Sequence, residues 1–156
     1  LKHRLKANNR RGAIEIAKEY GEIPPLEGFP GQLNQVFMNI LANAIDALEE
    51  SVEKIPEEER DLYAPLGCIK IRTEAIEPER VCIRIQDNGV GMSPQTQQHI
   101  FDRMFTTKAV GKGTGLGLSI SRQIVEGKHG GAIACSSTLG QGTEFAIALP
   151  IYANSA

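Results

Sequence analysis

Gln35-Val-Phe-Met-Asn39-Ile-Leu-Ala-Asn43-Ala-Ile-Asp46 separates into two faces at helical spacing. Leu33, Val36, Phe37, Ile40, Leu41, Ala44, Ile45 and Leu48 recur at i, i+3, i+4, i+7 and onward, the pattern of an amphipathic helix. Gln35, Asn39, Asn43 and Asp46 step along the opposite face, stacked one above another. Asn is a poor helix former because its side chain competes for backbone hydrogen bonds. Two of them in mid-helix, followed by Asp, need a reason. A row of side-chain oxygens can hold a hard cation such as Mg²⁺, or bind a polar ligand. It can also be the wet face of a surface helix. The helix alone leaves both readings open.

The chain has 156 residues, 41% apolar and 23% charged, which suits one globular domain with a real core. Its formal net charge of −2 gives no electrostatic case for nucleic acid or an anionic membrane. No apolar run approaches the ~20 residues of a membrane span, and no signal peptide is visible. The chain lacks an initial Met, and the expectation is a fragment of a longer parent, either soluble or membrane-associated. Cys68, Cys82 and Cys135 lie in strand-like runs without a Cys-x-x-Cys pair, which predicts buried, reduced thiols in a reducing compartment and no zinc site.

Outward from the Asn helix, residues 1–12 read as the end of an upstream helix and a linker. Residues 13–151 read as one domain and 152–156 as a tail. Ala13–Tyr20 alternates as a strand, and Pro24, Pro25 and Pro30 make 21–31 a loop. The long helix spans Gly31 to about Glu50. The stretch 51–67, with Glu57-Glu58-Glu59, is an exposed connection. Cys68–Ala75 and Val81–Gln86 form an antiparallel hairpin. Ser93-Pro94 caps a short helix that ends near Phe101. A loop follows, then a helix from Leu116 to about His129, stopped by Gly130-Gly131. Ala132–Ser136 and Glu144–Leu149 are the last strands. This order predicts an α+β fold: a two-layer sandwich of a mixed, mostly antiparallel sheet with helices on one face.

Glycine-rich runs suggest a nucleotide, but the common motifs fail. Gly111-Lys112 is followed by Gly113, not Ser or Thr, and Gly113-Thr-Gly115-Leu-Gly117 has the wrong spacing for a dinucleotide fingerprint. Asp87 ends an apolar strand. As a carboxylate it accepts and cannot donate, which suits the amine of adenine and disfavours a guanine carbonyl. Gly89 and Gly91 permit close backbone approach to a ligand; alternatively, Asp-Asn-Gly is simply a turn. The run 111–119 opens a helix whose free N–H groups can bind phosphate, with Lys108 and Lys112 beside it; alternatively, it is a flexible Gly-rich cap.

Together these stretches resemble the ATP-binding domain of sensor histidine kinases, within the gyrase/Hsp90/histidine-kinase/MutL superfamily. The helix Gln35-x-x-x-Asn39-x-x-x-Asn43-Ala44-x-Asp46 resembles the N box, and Asp87-x-Gly89-x-Gly91-Met92 the G1 box. Ile100-Phe101-Asp102-Arg103-Met104-Phe105-Thr106-Thr107-Lys108 resembles the F box, and Gly113-x-Gly115-x-Gly117-Leu118 the G2 box. Gly140-Gln-Gly142-Thr143-Glu-Phe145 resembles the last glycine box. All five occur in family order across nearly the whole chain.

The resemblance implies a Bergerat-type sandwich that binds ATP with Mg²⁺. It implies that Asn43 ligates the metal with Asn39 assisting, and that Asp87 holds the adenine amine with Thr143 in support through water. Asp46, Gly89, Gly91, Met92 and Phe101 would be further contacts to the nucleotide. Gly113, Thr114, Gly115, Leu116, Gly117 and Leu118 would line the triphosphate. A lid would run from Phe101 to Gly113 and contribute Thr107, Lys108 and Lys112. Hydrolytic members carry Glu at the place of Asn39, and an amide cannot act as a general base. That favours transfer to an external acceptor over hydrolysis.

There are departures. Asp46 stands where many relatives have Lys or Arg able to reach phosphate, and Arg103 where Pro is common. His3, His99 and His129 do not fit the family's phosphoacceptor context. The implied partners are therefore a His-containing dimerisation domain of a cytoplasmic, homodimeric parent and a response-regulator receiver domain. The alternative is a related module, an anti-sigma serine kinase or a dimerising ATPase.

Overall fold

A computed structural model of the chain describes residues 2–8, 11–76, 78–103, 105 and 117–152. After a helical turn, α1 (Lys2–Leu5), come β1 (Ile14–Tyr20) and α2 (Pro30–Glu53). A 3₁₀ turn at Glu57–Glu59 then leads to the pair β2 (Gly67–Ile76) and β3 (Arg80–Asp87). The short α3 (Pro94–Gln97) follows. Beyond the undescribed stretch lie α4 (Gly117–Arg122), a π-helical turn (Gln123–Lys128), β4 (Ala132–Thr138) and β5 (Gly142–Pro150). The expected elements are present, most with ends shifted by one to three residues.

The strands form one sheet in the order β1-β2-β3-β5-β4. Only β1 and β2 run parallel; every other neighbour is antiparallel. The parallel pair follows from its connection, because α2 crosses over between β1 and β2.

Helix α2 turns Val36, Ile40, Ala44, Ile45 and Leu48 into the core, with Leu33, Phe37 and Leu41 partly buried around them. They meet Ile69, Val81, Ile83, Ile85, Ile147 and Leu149 in one cluster. Other sheet positions carry charge and cross-link the strands: Arg84 meets Glu144 at 3.1 Å and Glu74 at 3.6 Å, and Glu19 meets Lys70 at 3.5 Å and Arg72 at 3.4 Å. The result is the two-layer α+β architecture. Among the described residues, no helix is long and apolar enough to cross a membrane.

Two local details differ from expectation. The helix after the second glycine run does not stay α-helical but widens into a π turn over Gln123–Lys128. The His129 ring donates from Nδ1 to Ile124 O, 2.8 Å away, taking up a carbonyl within the widened turn. The three thiols are unpaired as expected, but only Cys82 is buried; Cys68 and Cys135 are half-buried.

Candidate functional site

Between α2 and the ends of β3 and β5 lies a cavity of about 310 Å³. Asn39, Asn43 and Asp46 line it from α2, Asp87 from the end of β3, and Thr143 from the start of β5. Gly91 and Met92 contribute from the loop after β3, and Gly117 and Leu118 from the start of α4. Glu50, Thr96, Ile100, Phe105 and Phe145 also line it. Stretches far apart in the sequence thus converge on one opening, because the ladder pairs Asp87 with Thr143 and α2 packs across β3 and β5.

Asp87 is buried, with 5% of its surface exposed. Burial pushes its carboxyl up to about 6, although backbone N–H groups of Gly89 and Thr143 pull the other way. Gly89 N donates to its Oδ1 at 2.9 Å. A buried carboxylate facing a cavity in this way is an acceptor for a ligand's N–H.

Thr143 is also buried, and its Oγ1 lies 2.8 Å from Ser137 Oγ. Ser137 Oγ accepts from Met92 N at 2.8 Å and donates to Gly142 O at 2.9 Å. A hydroxyl has one proton, so Thr143 must donate to Ser137 and keeps lone pairs for another donor. The Asp87–Thr143 end of the cavity is therefore rich in acceptors. The neighbouring Cys135 thiol is pushed up to about 12 by burial and by the negative Asp87, so it stays protonated.

On α2 the two amides differ. Asn39 Nδ2 donates to Gly117 O at 3.1 Å and to Ser121 Oγ at 3.2 Å. Ser121, fully buried, donates in turn to Gly117 O at 2.8 Å. The carbonyl acceptor fixes which end of the amide is nitrogen. Asn39 thus ties α2 to the first residue of α4 and keeps its oxygen for a ligand. Asn43 lines the cavity one turn on and is half-buried. Among the described residues no cluster of three or more His, Cys, Asp or Glu could hold an ion by itself. A divalent ion here would take most of its ligands from the nucleotide's phosphates and water, as Mg²⁺ commonly does, and the amide oxygens of Asn43 and Asn39 fit that part.

The structure gives Gly89 and Phe101 packing roles beyond those expected. A Cβ at Gly89 would lie 2.7 Å from the backbone of Ala47, so this glycine lets the loop after β3 touch α2. Gly91 does line the cavity, but its φ of +69° and a Cβ position 2.1 Å from Thr138 O give it a packing reason as well. Phe101 is not in the cavity wall. It packs edge-on to Phe145 with centroids 6.4 Å apart, and Arg122 sits 5.5 Å over its ring. Gln35, first of the polar row, is exposed and also lies outside the wall. The expected ligands Thr107, Lys108, Lys112, Gly113, Thr114, Gly115 and Leu116 lie outside the described residues, as does most of the expected lid.

Sequence reading missed Ser121, Ser137 and Gln97. Gln97 Nε2 donates to Ser137 O at 2.9 Å, and Ser137 N donates to Gln97 Oε1 at 3.2 Å. It also missed Arg4 and Arg11. Arg4 Nη2 meets Asp46 Oδ1 at 2.7 Å, and Arg11 Nη2 meets Glu49 Oε1 at 3.1 Å. No local pattern marks these pairs. The buried Ser121 alone had a signal, since it lies four residues after Gly117 and one helical turn along.

Comparison with known proteins agrees with this geometry. Residues 28–153 match the family described as histidine kinase-, DNA gyrase B-, and HSP90-like ATPase. Sporulation kinase E of Bacillus subtilis (strain 168) is 36% identical over 134 residues, which cover 86% of this chain and 16% of that protein. Signal transduction histidine-protein kinase AtoS of Escherichia coli (strain K12) is 37% identical over 136 residues, 87% of this chain and 19% of that one. Among solved structures, the nucleotide-free catalytic domain of histidine kinase ThkA superposes with a TM-score of 0.70 at 29% identity, covering 89% of this chain and 80% of that one. Full-length ShkA in complex with AMPPNP gives 0.68 at 30% identity, covering 92% and 27%. The chain spans less than a fifth of the length of these two curated relatives. It belongs to the histidine kinase-, DNA gyrase B-, and HSP90-like ATPase family, as an ATP-binding domain of the histidine kinase type.

Proposed function

We propose that this chain binds Mg-ATP and holds it for transfer of the γ-phosphoryl group to a histidine on a dimerisation domain outside the chain. A receiver domain of a response regulator would take the phosphoryl group next. The parent would be a cytoplasmic-facing, dimeric sensor kinase drawing on the cell's ATP. Asp87 and Thr143 would hold the adenine, and Asn43 with Asn39 would hold the metal. Gly117 and Leu118, with the undescribed residues before them, would face the phosphates. ShkA, similar in fold and sequence, was solved with an ATP analogue.

One observation carries the choice of transfer over hydrolysis: Asn39. Its nitrogen is spent on Gly117 O and Ser121 Oγ, and its oxygen is that of an amide, which cannot take a proton from water at neutral pH. The site offers positioning and charge, which is most of what phosphoryl transfer needs. A hydrolytic module of the same family is the less favoured reading for the same reason.

The test is titration calorimetry with ATP and GTP in the presence of Mg²⁺, then incubation with a separately supplied His-containing dimerisation domain. The expected result is ATP binding on the micromolar scale, much weaker GTP binding, slow hydrolysis and phosphate transfer to the added domain. Unchanged ATP binding in Asp87→Ala would refute the adenine assignment. Brisk hydrolysis by the unaltered chain would refute the transfer reading. Asn39→Glu should raise hydrolysis if position 39 is what withholds a base.

A further inference from the structure

Two carboxylates, Asp46 and Glu50, line a cavity read above as the seat of a polyphosphate. Left alone, a carboxylate there repels the ligand it faces. Asp46 is not left alone. Arg4, from the α1 turn, places Nη2 at 2.7 Å from its Oδ1, and the same nitrogen lies 3.5 Å from Glu49 Oε1. Both ends of the Arg4–Asp46 pair are about two-thirds buried, with side-chain exposures of 27% and 31%.

The residue that holds Arg4 in place is Arg11. It is 3% exposed, and its guanidinium works on the backbone as a buckle. Nη1 donates to Lys6 O at 3.2 Å and to Gly12 O at 2.9 Å, and Nη2 donates to Arg4 O. The same Nη2 meets Glu49 Oε1 at 3.1 Å, which fastens the folded-back segment to α2. Asn8 closes the loop between them: its N–H donates to Arg11 O at 3.0 Å, and its Oδ1 accepts from Arg11 N at 3.1 Å. A five-donor, always-charged fork suits this work, and a lysine could not do all of it.

We infer that Arg4 is a positioning residue for the nucleotide's phosphates: held by Arg11, it neutralises Asp46 in the cavity wall. The inference rests on the ATP reading. It makes the segment before β1 part of the binding device. The charge pairing acts on the anionic end of the ligand and leaves the base untouched.

The experiment measures ATP and adenosine affinity by calorimetry, in Mg²⁺, for the whole 156-residue chain and its variants. Arg4→Ala should weaken ATP roughly three- to tenfold, given a pair that water partly screens, and should change adenosine by less than about twofold. Arg4→Lys should recover most of the loss. Adding Asp46→Asn to Arg4→Ala should restore ATP affinity, because the repelling charge is gone. Equal weakening of ATP and adenosine in Arg4→Ala would make the pair merely structural and overturn the inference. So would unchanged ATP affinity, or failure of Asp46→Asn to restore it. Adenosine bound by the unaltered chain with no gain for ATP would overturn this inference alone. Binding of neither would overturn the ATP reading, and this one with it.

Discussion

Gln97 grips the backbone of Ser137 with both ends of its amide, donating to the carbonyl at 2.9 Å and accepting from the N–H at 3.2 Å. The side chain acts as one more rung on the outer edge of β4. It pins α3 to the strand whose Ser137 hydroxyl supports Met92 and Thr143 in the cavity wall.

Gln97→Ala should therefore cost about 1–2 kcal/mol of stability, the worth of two partly buried hydrogen bonds. It should also weaken ATP several-fold without changing the far-ultraviolet circular dichroism. Urea denaturation and calorimetry check the two effects. A stability loss with unaltered affinity would separate α3 from the wall.

Asp87 carries a conflict between folding and binding. Its folded carboxyl sits at about 6, above the ordinary 3.8, so the folded state holds the proton more tightly than the unfolded one. Stability is then fullest below pH 4, falls as pH rises from about 4 to about 6, and stays lower beyond. Asp87→Asn removes the charge, keeps an acceptor for Gly89 N, and should be more stable at pH 7 by up to about 3 kcal/mol. The difference should vanish near pH 4. Urea midpoints across that range test it, and a destabilised Asp87→Asn at pH 7 would reverse the sign.

The same carboxyl sets a pH dependence for binding. If Asp87 holds the adenine amine as proposed, that amine donates and needs the ionised form. ATP affinity should weaken as pH falls through about 6, and ATP should in turn lower the carboxyl's pKa. Calorimetry in buffers of different ionisation enthalpy would register proton release on binding at pH 6 and little at pH 8.

Two glycines make an opposed pair. Gly91→Ala meets a φ of +69° and a Cβ position 2.1 Å from Thr138 O, so it should lose several kcal/mol or fail to fold. Gly127→Ala meets nothing within 4 Å and no positive φ, in a helical turn, and should gain about 0.4–1 kcal/mol. Thermal melting of the two variants ranks them directly.

The sequence announced what repeats or punctuates. The apolar stripe of α2, the alternation in β2 and β3, the Ser93 cap that accepts from Thr96 N at 3.2 Å, and Gly140 at φ +82° each leave a local mark. Asn39, Asn43, Asp87 and Thr143 were legible because they sit at fixed offsets within such marks. The pairs that hold the site steady were not. Gln97 with Ser137, Arg4 with Asp46, and Phe29 N with His129 Nε2 at 3.0 Å join residues forty or more apart. Nothing in either local stretch encodes its partner. The packing of Gly89 and Phe101 was hidden for the same reason, since only the packed fold reveals that Ala47 and Phe145 are their neighbours.

Asp87 and Thr143 face each other through the β3–β5 ladder, and β5 is the last strand among the described residues. During synthesis, the emerging polypeptide could complete α2, β2 and β3 and still have no seat for adenine until the final strand inserts between β3 and β4. Pairing across such sequence distance is the slow part of folding. Nucleotide capture would then report completion of the whole sheet: a truncated or stalled product could keep most of its helices and yet never engage ATP.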